Sequence, residues 1–136
     1  MGLINYIQKL FSEKDGKGYE YIYIMIDVHN TILKPSFEKE ETFEYFPFAK
    51  ETLQMLTNME DVKLIMWTSC YEDKIIMYID HFKQNGIIFD YVNENPEYDN
   101  LSFACFDKKF YYDIGIDDKF GFDANNDWFE IYKLLI

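Results

Sequence analysis

The sequence predicts an α/β protein with a doubly wound, mostly parallel sheet in a three-layer α/β/α arrangement. Apolar runs rich in β-branched and aromatic residues alternate with segments of helical periodicity. The connections between successive apolar runs are too long for hairpins, which implies parallel strands joined by crossover helices. Such a sheet is Rossmann-like and binds its ligands at the carboxyl ends of the strands.

The N-terminal residues 1–18 are predicted to form a helical extension of a single domain that spans 19–136. Apolar residues recur in the extension at helical spacing: Leu3, Ile4, Ile7, Leu10 and Phe11. Gly16 and Gly18 end the pattern. We expect a short helix packed on the domain, and a helix for a membrane surface or a partner is the alternative.

The first predicted strand is the run 19–27, which ends at Asp27 and reads as a buried strand of a parallel sheet. Residues 28–46 are polar and mixed, which indicates a loop or a short flap. Pro47 then opens a helix that continues to Leu56, with the proline in the first turn.

The second half of the chain repeats the alternation. A strand is predicted over 62–67 and a helix over roughly 71–85, which Gly86 ends. A third strand follows over 87–92, and a loop over 93–102.

The last predicted elements are a strand over 111–116 and a closing helix over 128–136.

Acidic and hydroxyl side chains stand at the ends of three of these strands. Asp27 ends the first strand, Thr68 follows the second, and Asp117 and Asp118 follow the fourth. Three carboxylates at one sheet edge repel one another unless a cation lies among them. Because hard oxygen ligands occur here without a Cys or His cluster, Mg²⁺ is the favoured ion.

This set of groups suits phosphoryl transfer. A carboxylate beside Mg²⁺ can attack phosphorus and form an aspartyl-phosphate. A hydroxyl such as that of Thr68 and an ammonium such as that of Lys108 or Lys109 would complete a phosphate cradle. Two acids after a strand also have a simpler interpretation, which is that they cap a following turn.

The charge balance limits the classes of partner. Lys and Arg number 13 against 25 Asp and Glu, so the formal net charge is −12. A field of this sign disfavours nucleic acids and anionic membranes. It leaves three interpretations open: plain solubility, carboxylates around a cation, or an acidic face for a basic partner.

The expected location is the cytoplasm. Cys70 and Cys105 show neither metal-ligand spacing nor a disulfide framework, which fits reduced thiols. No apolar run approaches the ~20 residues of a membrane span, and the N-terminus lacks a secretory signal.

Four segments, in order, resemble the sequence motifs of the haloacid-dehalogenase-like superfamily. Residues 24–32 are similar to the first motif, a hydrophobic strand followed by Asp-x-Asp-Gly-Thr, and residues 64–69 to the second, a strand ending in Thr or Ser. Lys109 stands where the third-motif lysine is expected, and residues 114–118 are similar to the fourth motif, a strand ending in two acids. The resemblance extends over residues 20–123.

The resemblance implies a Mg²⁺-dependent phosphatase and a set of metal ligands. Asp27 would be the nucleophile and a ligand of Mg²⁺. The backbone carbonyl of His29 would be a second ligand and Asp118 a third, with Asp117 beside it.

The resemblance also assigns the phosphate-binding groups. Thr68 and Lys109 would hold the phosphoryl oxygens, and Thr31 would orient the loop. Lys108 is the alternative to Lys109, because the motif leaves one residue of register open.

The first motif departs from the family at two positions. Asn30 replaces the glycine, a mild change because Asn tolerates the left-handed backbone. His29 replaces the aspartate that acts as general acid and base. Three interpretations follow: a phosphatase with an altered pH profile, an aspartyl-phosphate that hydrolyses slowly, or a domain without activity that binds a phosphorylated ligand or a protein.

The cap that covers the site in many members is predicted to be minimal. Residues 89–97 resemble a subgroup of small, nearly capless members, and residues 32–46 are too few for a cap domain. An open site suits a phosphorylated small molecule or a phosphoprotein. Alternatively, a neighbouring subunit of a homo-oligomer supplies the lid.

Overall fold

The protein, described here by a computed structural model, has a four-stranded parallel sheet with helices. The description covers residues 2–13, 20–35, 43–98 and 109–136. The elements are α1 (Gly2–Glu13), β1 (Ile22–Asp27), α2 (Ala49–Thr57), β2 (Val62–Trp67), α3 (Glu72–Gln84), β3 (Tyr91–Val92), β4 (Ile114–Ile116) and α4 (Asp127–Leu135). A short 3₁₀ turn, Asp118–Phe120, follows β4.

The strand order is β3-β2-β1-β4, and all pairs are parallel. The chain therefore winds from β1 through β2 to β3 and then returns to place β4 on the other side of β1. This confirms the predicted α/β class with a Rossmann-like sheet, consistent with a three-layer α/β/α architecture. The strand order reverses between β1 and β4, which is where doubly wound sheets bind ligands.

The main apolar core lies on one face of the sheet. Ile24, Leu64 and Ile114 are neighbours on this face and are almost fully buried. They share one apolar cluster with side chains from all four helices, among them Ile7, Leu53, Phe82 and Trp128. Because fully burying a side chain of this size contributes roughly 1.5–3 kcal/mol, this cluster is the main source of stability.

The opposite face is covered by the two described ends of the connection from β3 to β4. Tyr23 of β1 points to this side, and its ring centroid lies 5.4 Å from that of Tyr98 and 5.9 Å from that of Tyr111. The rings of Tyr98 and Tyr111 stack at 4.1 Å. The sheet is thus buried on both faces, as its continuous apolar strands predict.

The two edge strands are shorter than predicted, for the same reason in each. Asp90, before β3, donates its N–H to the carbonyl of Leu64 and accepts the N–H of Leu64 with its carboxylate, both at 2.8 Å. Asp113, before β4, makes the same pair of bonds with Tyr23, again at 2.8 Å. A carboxylate therefore takes the place of a backbone acceptor, and the regular ladder begins only after it.

The other predicted elements agree with the structure to within two or three residues. β1 begins at Ile22 rather than at 19, which lies outside the described residues, and β2 has its predicted bounds. Residues 14–18, 36–42 and 99–108, with Cys105 and Lys108, also lie outside them. None of the described helices is both long enough and apolar enough to cross a membrane.

Candidate functional site

Three carboxylates meet at the carboxyl end of the sheet. Asp27 is the last residue of β1, and Asp117 and Asp118 directly follow the neighbouring strand β4. One oxygen from each carboxylate lies within 4.8 Å of the others. The structure thus brings together the three acids that the sequence assigned to this edge, at the point where the strand order reverses.

Burial and mutual repulsion raise the pKa values of two of these carboxyls. The pKa of Asp27 is raised to about 6, chiefly by burial and then by the charge of Asp117, while the Thr31 hydroxyl lowers it in part. Burial also raises the pKa of Asp117. Adjacent carboxyls that resist ionisation favour a bound cation or proton.

Asp117 also has a structural role. Its Oδ1 accepts the backbone N–H of Lys119 at 2.9 Å and caps the 3₁₀ turn. The capping interpretation therefore holds for Asp117, whereas the Asp27 and Asp118 carboxylates accept from the Thr31 side chain.

Thr31 joins the two sides of the site. Its buried hydroxyl donates to Asp27 Oδ2 at 3.0 Å and accepts the backbone N–H of Asp118 at 3.1 Å. Its carbonyl accepts the Nε1–H of Trp128 at 2.7 Å. Trp128, 97 positions away, was not predicted from the sequence, because no local pattern signals this contact.

The turn after β1 depends on a left-handed residue. Asn30 has φ 63°. In this turn the N–H groups of Ile32 and Leu33 both donate to the carbonyl of Val28, at 2.9 and 3.1 Å. Asn is one of the few non-glycine types that adopt this conformation readily, so it can stand where the resembled family has glycine.

The side chain of His29 is bound to a tyrosine of α3. His29 Nε2 lies 2.8 Å from the hydroxyl oxygen of Tyr78, and the two rings are nearly perpendicular, with centroids 5.2 Å apart. Within the described part of the chain, the group of side chains able to hold a metal comprises the three carboxylates without this imidazole. That the His29 backbone carbonyl is a ligand stays a prediction.

Thr68 is held by an asparagine that sequence reasoning missed. Asn93 accepts the Thr68 N–H with Oδ1 at 2.9 Å and donates to the Thr68 carbonyl with Nδ2 at 2.8 Å. Asn93 itself has φ 56°. It follows β3, so its amide fixes the end of β2 from the neighbouring strand. The signal in the sequence was a polar residue directly after a strand.

Lys109 lies beside an aromatic cleft. It is exposed and borders a space of about 160 Å³ next to the site. The other lining residues are Met25, Trp67, Phe110, Tyr112 and Phe120. Among the described carboxylates, none forms an ion pair with Lys109.

A protein of known structure has a similar fold. This is a conserved protein from Bacteroides thetaiotaomicron with 27% sequence identity, a TM-score of 0.65, and coverage of 85% of this chain and 89% of the other. No protein-family model and no curated protein matches the chain. The similarity supports the parallel α/β fold over most of the chain length.

Proposed function

We propose that the protein is a Mg²⁺-dependent phosphomonoester hydrolase in which Asp27 accepts the phosphoryl group. The observation that carries the proposal is the convergence of Asp27, Asp117 and Asp118 within 4.8 Å at the switch point of the sheet. The resemblance to the haloacid-dehalogenase-like family supports the same assignment.

The donor set fits Mg²⁺. The ligands would be carboxylate oxygens of Asp27 and Asp118 and the backbone carbonyl of His29, with Asp117 nearby. All are hard oxygen donors, which Mg²⁺ prefers over the nitrogen and sulfur donors typical of zinc sites. Bound there, Mg²⁺ neutralises charge on the oxygens of the transferred group.

Asp27 is oriented for attack by its neighbour. Because the Thr31 hydroxyl occupies Oδ2, Oδ1 is the oxygen left to form the bond to phosphorus. With its pKa at about 6, Asp27 is mostly ionised at neutral pH and can act as a nucleophile. The bond from Asp27 to phosphorus forms as the ester P–O bond breaks.

The proton transfers are assigned to His29. Its protonated imidazole would donate to the leaving oxygen, and the neutral ring would then take a proton from the water that attacks the aspartyl-phosphate. This second step regenerates Asp27 and releases inorganic phosphate. Thr68 and Lys109 would contact the phosphoryl oxygens.

A second candidate function is supported by the contact between His29 and Tyr78. An imidazole held by a buried tyrosine hydroxyl is less available to a leaving group. In that case the aspartyl-phosphate turns over slowly or not at all, and the domain is a binding module for a phosphorylated ligand or a protein.

Hydrolysis of p-nitrophenyl phosphate with Mg²⁺, from pH 5 to pH 8, distinguishes the two functions. We expect turnover by the wild type, loss of turnover in Asp27→Asn, and normal turnover in Asp80→Asn, which changes an exposed acid of α3. Absence of turnover at every pH would favour the binding module.

The natural substrate class and location stay predictions. A phosphorylated small molecule or a phosphoprotein is expected, with a lid supplied by a second subunit as one option. The cytoplasmic location rests on the reduced state expected for the thiols, of which Cys70 is free in the structure.

A further inference from the structure

We propose that the aromatic cleft beside Asp27 receives the body of the substrate, so that the preferred substrates are phosphomonoesters of a single aromatic ring. This inference rests on the proposed phosphatase function and specifies its substrate class. The aromatic cleft is the space lined by Met25, Trp67, Lys109, Phe110, Tyr112 and Phe120.

The cleft and the nucleophile lie on the same face of the sheet. Met25 precedes Asp27 by two residues, so both side chains point to one face, about 7 Å apart along the strand. Trp67 is paired with Asp27 in the parallel register of β1 and β2, which separates their backbones by about 5 Å. Because Met25 and Trp67 both line the cleft, it lies beside the end of β1 that carries Asp27.

Aromatic side chains line the cleft on several sides. The Phe110 ring centroid lies 5.6 Å from that of Trp67 and 5.8 Å from that of Tyr112. Phe120 lies two residues after Asp118 and is 63% exposed, while Trp67 is 40% exposed. Large apolar rings left in water around a concave surface are typical of a ligand site rather than of a core.

Gly115 allows these side chains to converge. A methyl group at this position would lie 3.2 Å from the Tyr112 ring, 3.4 Å from the Met25 terminal carbon and 3.6 Å from the Phe120 ring. The absence of a side chain on β4 thus lets three lining residues come together at the base of the cleft.

The volume suits one ring. The cleft holds about 160 Å³, close to the roughly 150 Å³ of an engineered apolar cavity that binds benzene. A six-membered aromatic ring therefore matches the space, whereas a sugar would place hydroxyl groups against apolar walls without hydrogen-bond partners.

The charges suit a single phosphate on an otherwise apolar body. Lys109 supplies an exposed ammonium at the cleft, complementary to a phosphate dianion. The net charge of −12 disfavours substrates that carry many phosphates. An aryl phosphate combines the flat ring with one dianion and meets both conditions.

Calorimetric titration with non-hydrolysable analogues tests the inference. Phenylphosphonate and methylphosphonate carry the same charged group with and without the ring. With Mg²⁺ present, we expect the wild type to bind phenylphosphonate about tenfold more tightly, the size of effect that stacking and burial of one ring provide.

Two variants test whether the preference for phenylphosphonate over methylphosphonate arises in the aromatic cleft. Phe120→Ala should reduce the ratio of the two affinities to about twofold, on the same scale. Phe129→Ala should leave it unchanged, because Phe129 is a 40% exposed ring of α4 that packs on Phe48 outside the cleft. Equal affinity of the wild type for both phosphonates would overturn the inference while leaving the phosphatase proposal intact.

Failure of both phosphonates to bind with Mg²⁺ present would instead count against the proposed function itself, and the inference would fall with it. A further experiment distinguishes a ring that belongs to a protein side chain from the ring of a free aryl ester. Hydrolysis of a phosphotyrosine peptide at the rate of phenyl phosphate indicates a protein side chain, and hydrolysis of phenyl phosphate alone indicates a free aryl ester. Either result supports the aryl class.

Discussion

The hydroxyl oxygen of Thr31 accepts the backbone N–H of Asp118 at 3.1 Å, across 87 positions of sequence. The same hydroxyl donates to Asp27, so one buried side chain fixes the turn after β1 to the turn after β4. The spacing of the carboxylates therefore depends on Thr31 as much as on the strands that carry them.

Replacement of Thr31 tests this link. Thr31→Val leaves the Asp118 N–H without its acceptor, which we expect to lower the free energy of unfolding by about 1–3 kcal/mol. Thr31→Ser keeps the hydroxyl and loses one methyl group, with a loss of about 0.8 kcal/mol. Urea titrations of the two variants compare these values. A Thr31→Val protein as stable as the wild type would show that the hydroxyl does not join the turns.

The raised pKa of Asp27 predicts how stability responds to pH without metal. The folded-state pKa is about 6, against about 3.9 for an unfolded aspartate. The protonated carboxyl therefore stabilises the fold fully below about pH 4, and this contribution is lost as the pH rises through about 6. In Asp27→Asn, thermal unfolding in EDTA should lack this component of the pH dependence.

Mg²⁺ should oppose this loss of stability at high pH, because it binds the ionised carboxylates. At a free concentration one hundred times Kd it stabilises the fold by about 2.7 kcal/mol. We expect a clear rise of Tm with Mg²⁺ at pH 7.5 and a much smaller one at pH 5. Equal increases at both pH values would contradict the assignment of the ion to this site.

The role of His29 is measured by three variants. His29→Ala should lower kcat for p-nitrophenyl phosphate by about 10²–10⁴-fold, the usual contribution of general acid–base catalysis. His29→Asp should retain turnover with its optimum at lower pH, because a carboxyl group loses its proton at lower pH than an imidazole.

Tyr78→Phe removes the hydroxyl partner of the imidazole and should change kcat less than His29→Ala does. If kcat of His29→Ala stays within twofold of the wild type, His29 has no part in proton transfer.

Asn93 is expected to act as a positioning residue for Thr68. Asn93→Gly keeps the left-handed backbone but removes both hydrogen bonds to Thr68, which should lower stability by about 1–2 kcal/mol and raise KM more than it lowers kcat. Asn30→Gly is the matched control for the stability measurement, because Asn30 shares the positive φ without holding Thr68. Kinetics of Asn93→Gly indistinguishable from the wild type would exclude the positioning role.

Local patterns in the sequence were sufficient for the order of the elements and for the acidic edge. Strand β2 matches its prediction because it is an apolar run, interrupted by Lys63, between clear breaks. Asp27 and Asp118 could be placed together because the carboxyl ends of parallel strands share one edge. That these two residues share an edge follows from strand pairing alone, whereas the spacing of their carboxylates also depends on Thr31.

Contacts over long sequence separations could not be predicted. Trp128 donates to Thr31 across 97 positions and Asn93 to Thr68 across 25. The lengths of β3 and β4 depend on whether the Asp90 and Asp113 carboxylates accept bonds from a neighbouring strand, which no local pattern reveals. In each case the local structure is determined by a hydrogen bond between residues distant in sequence, which intrinsic secondary-structure propensity does not reveal.

Titration of Mg²⁺ by calorimetry tests the central claim most directly, because it measures the ion without requiring turnover. We predict that the wild type binds one Mg²⁺ per chain, that Asp118→Asn loses this binding, and that Asp80→Asn retains it. Wild-type affinity in Asp118→Asn would contradict the account, since the acids at the ends of β1 and β4 would then hold no shared ion.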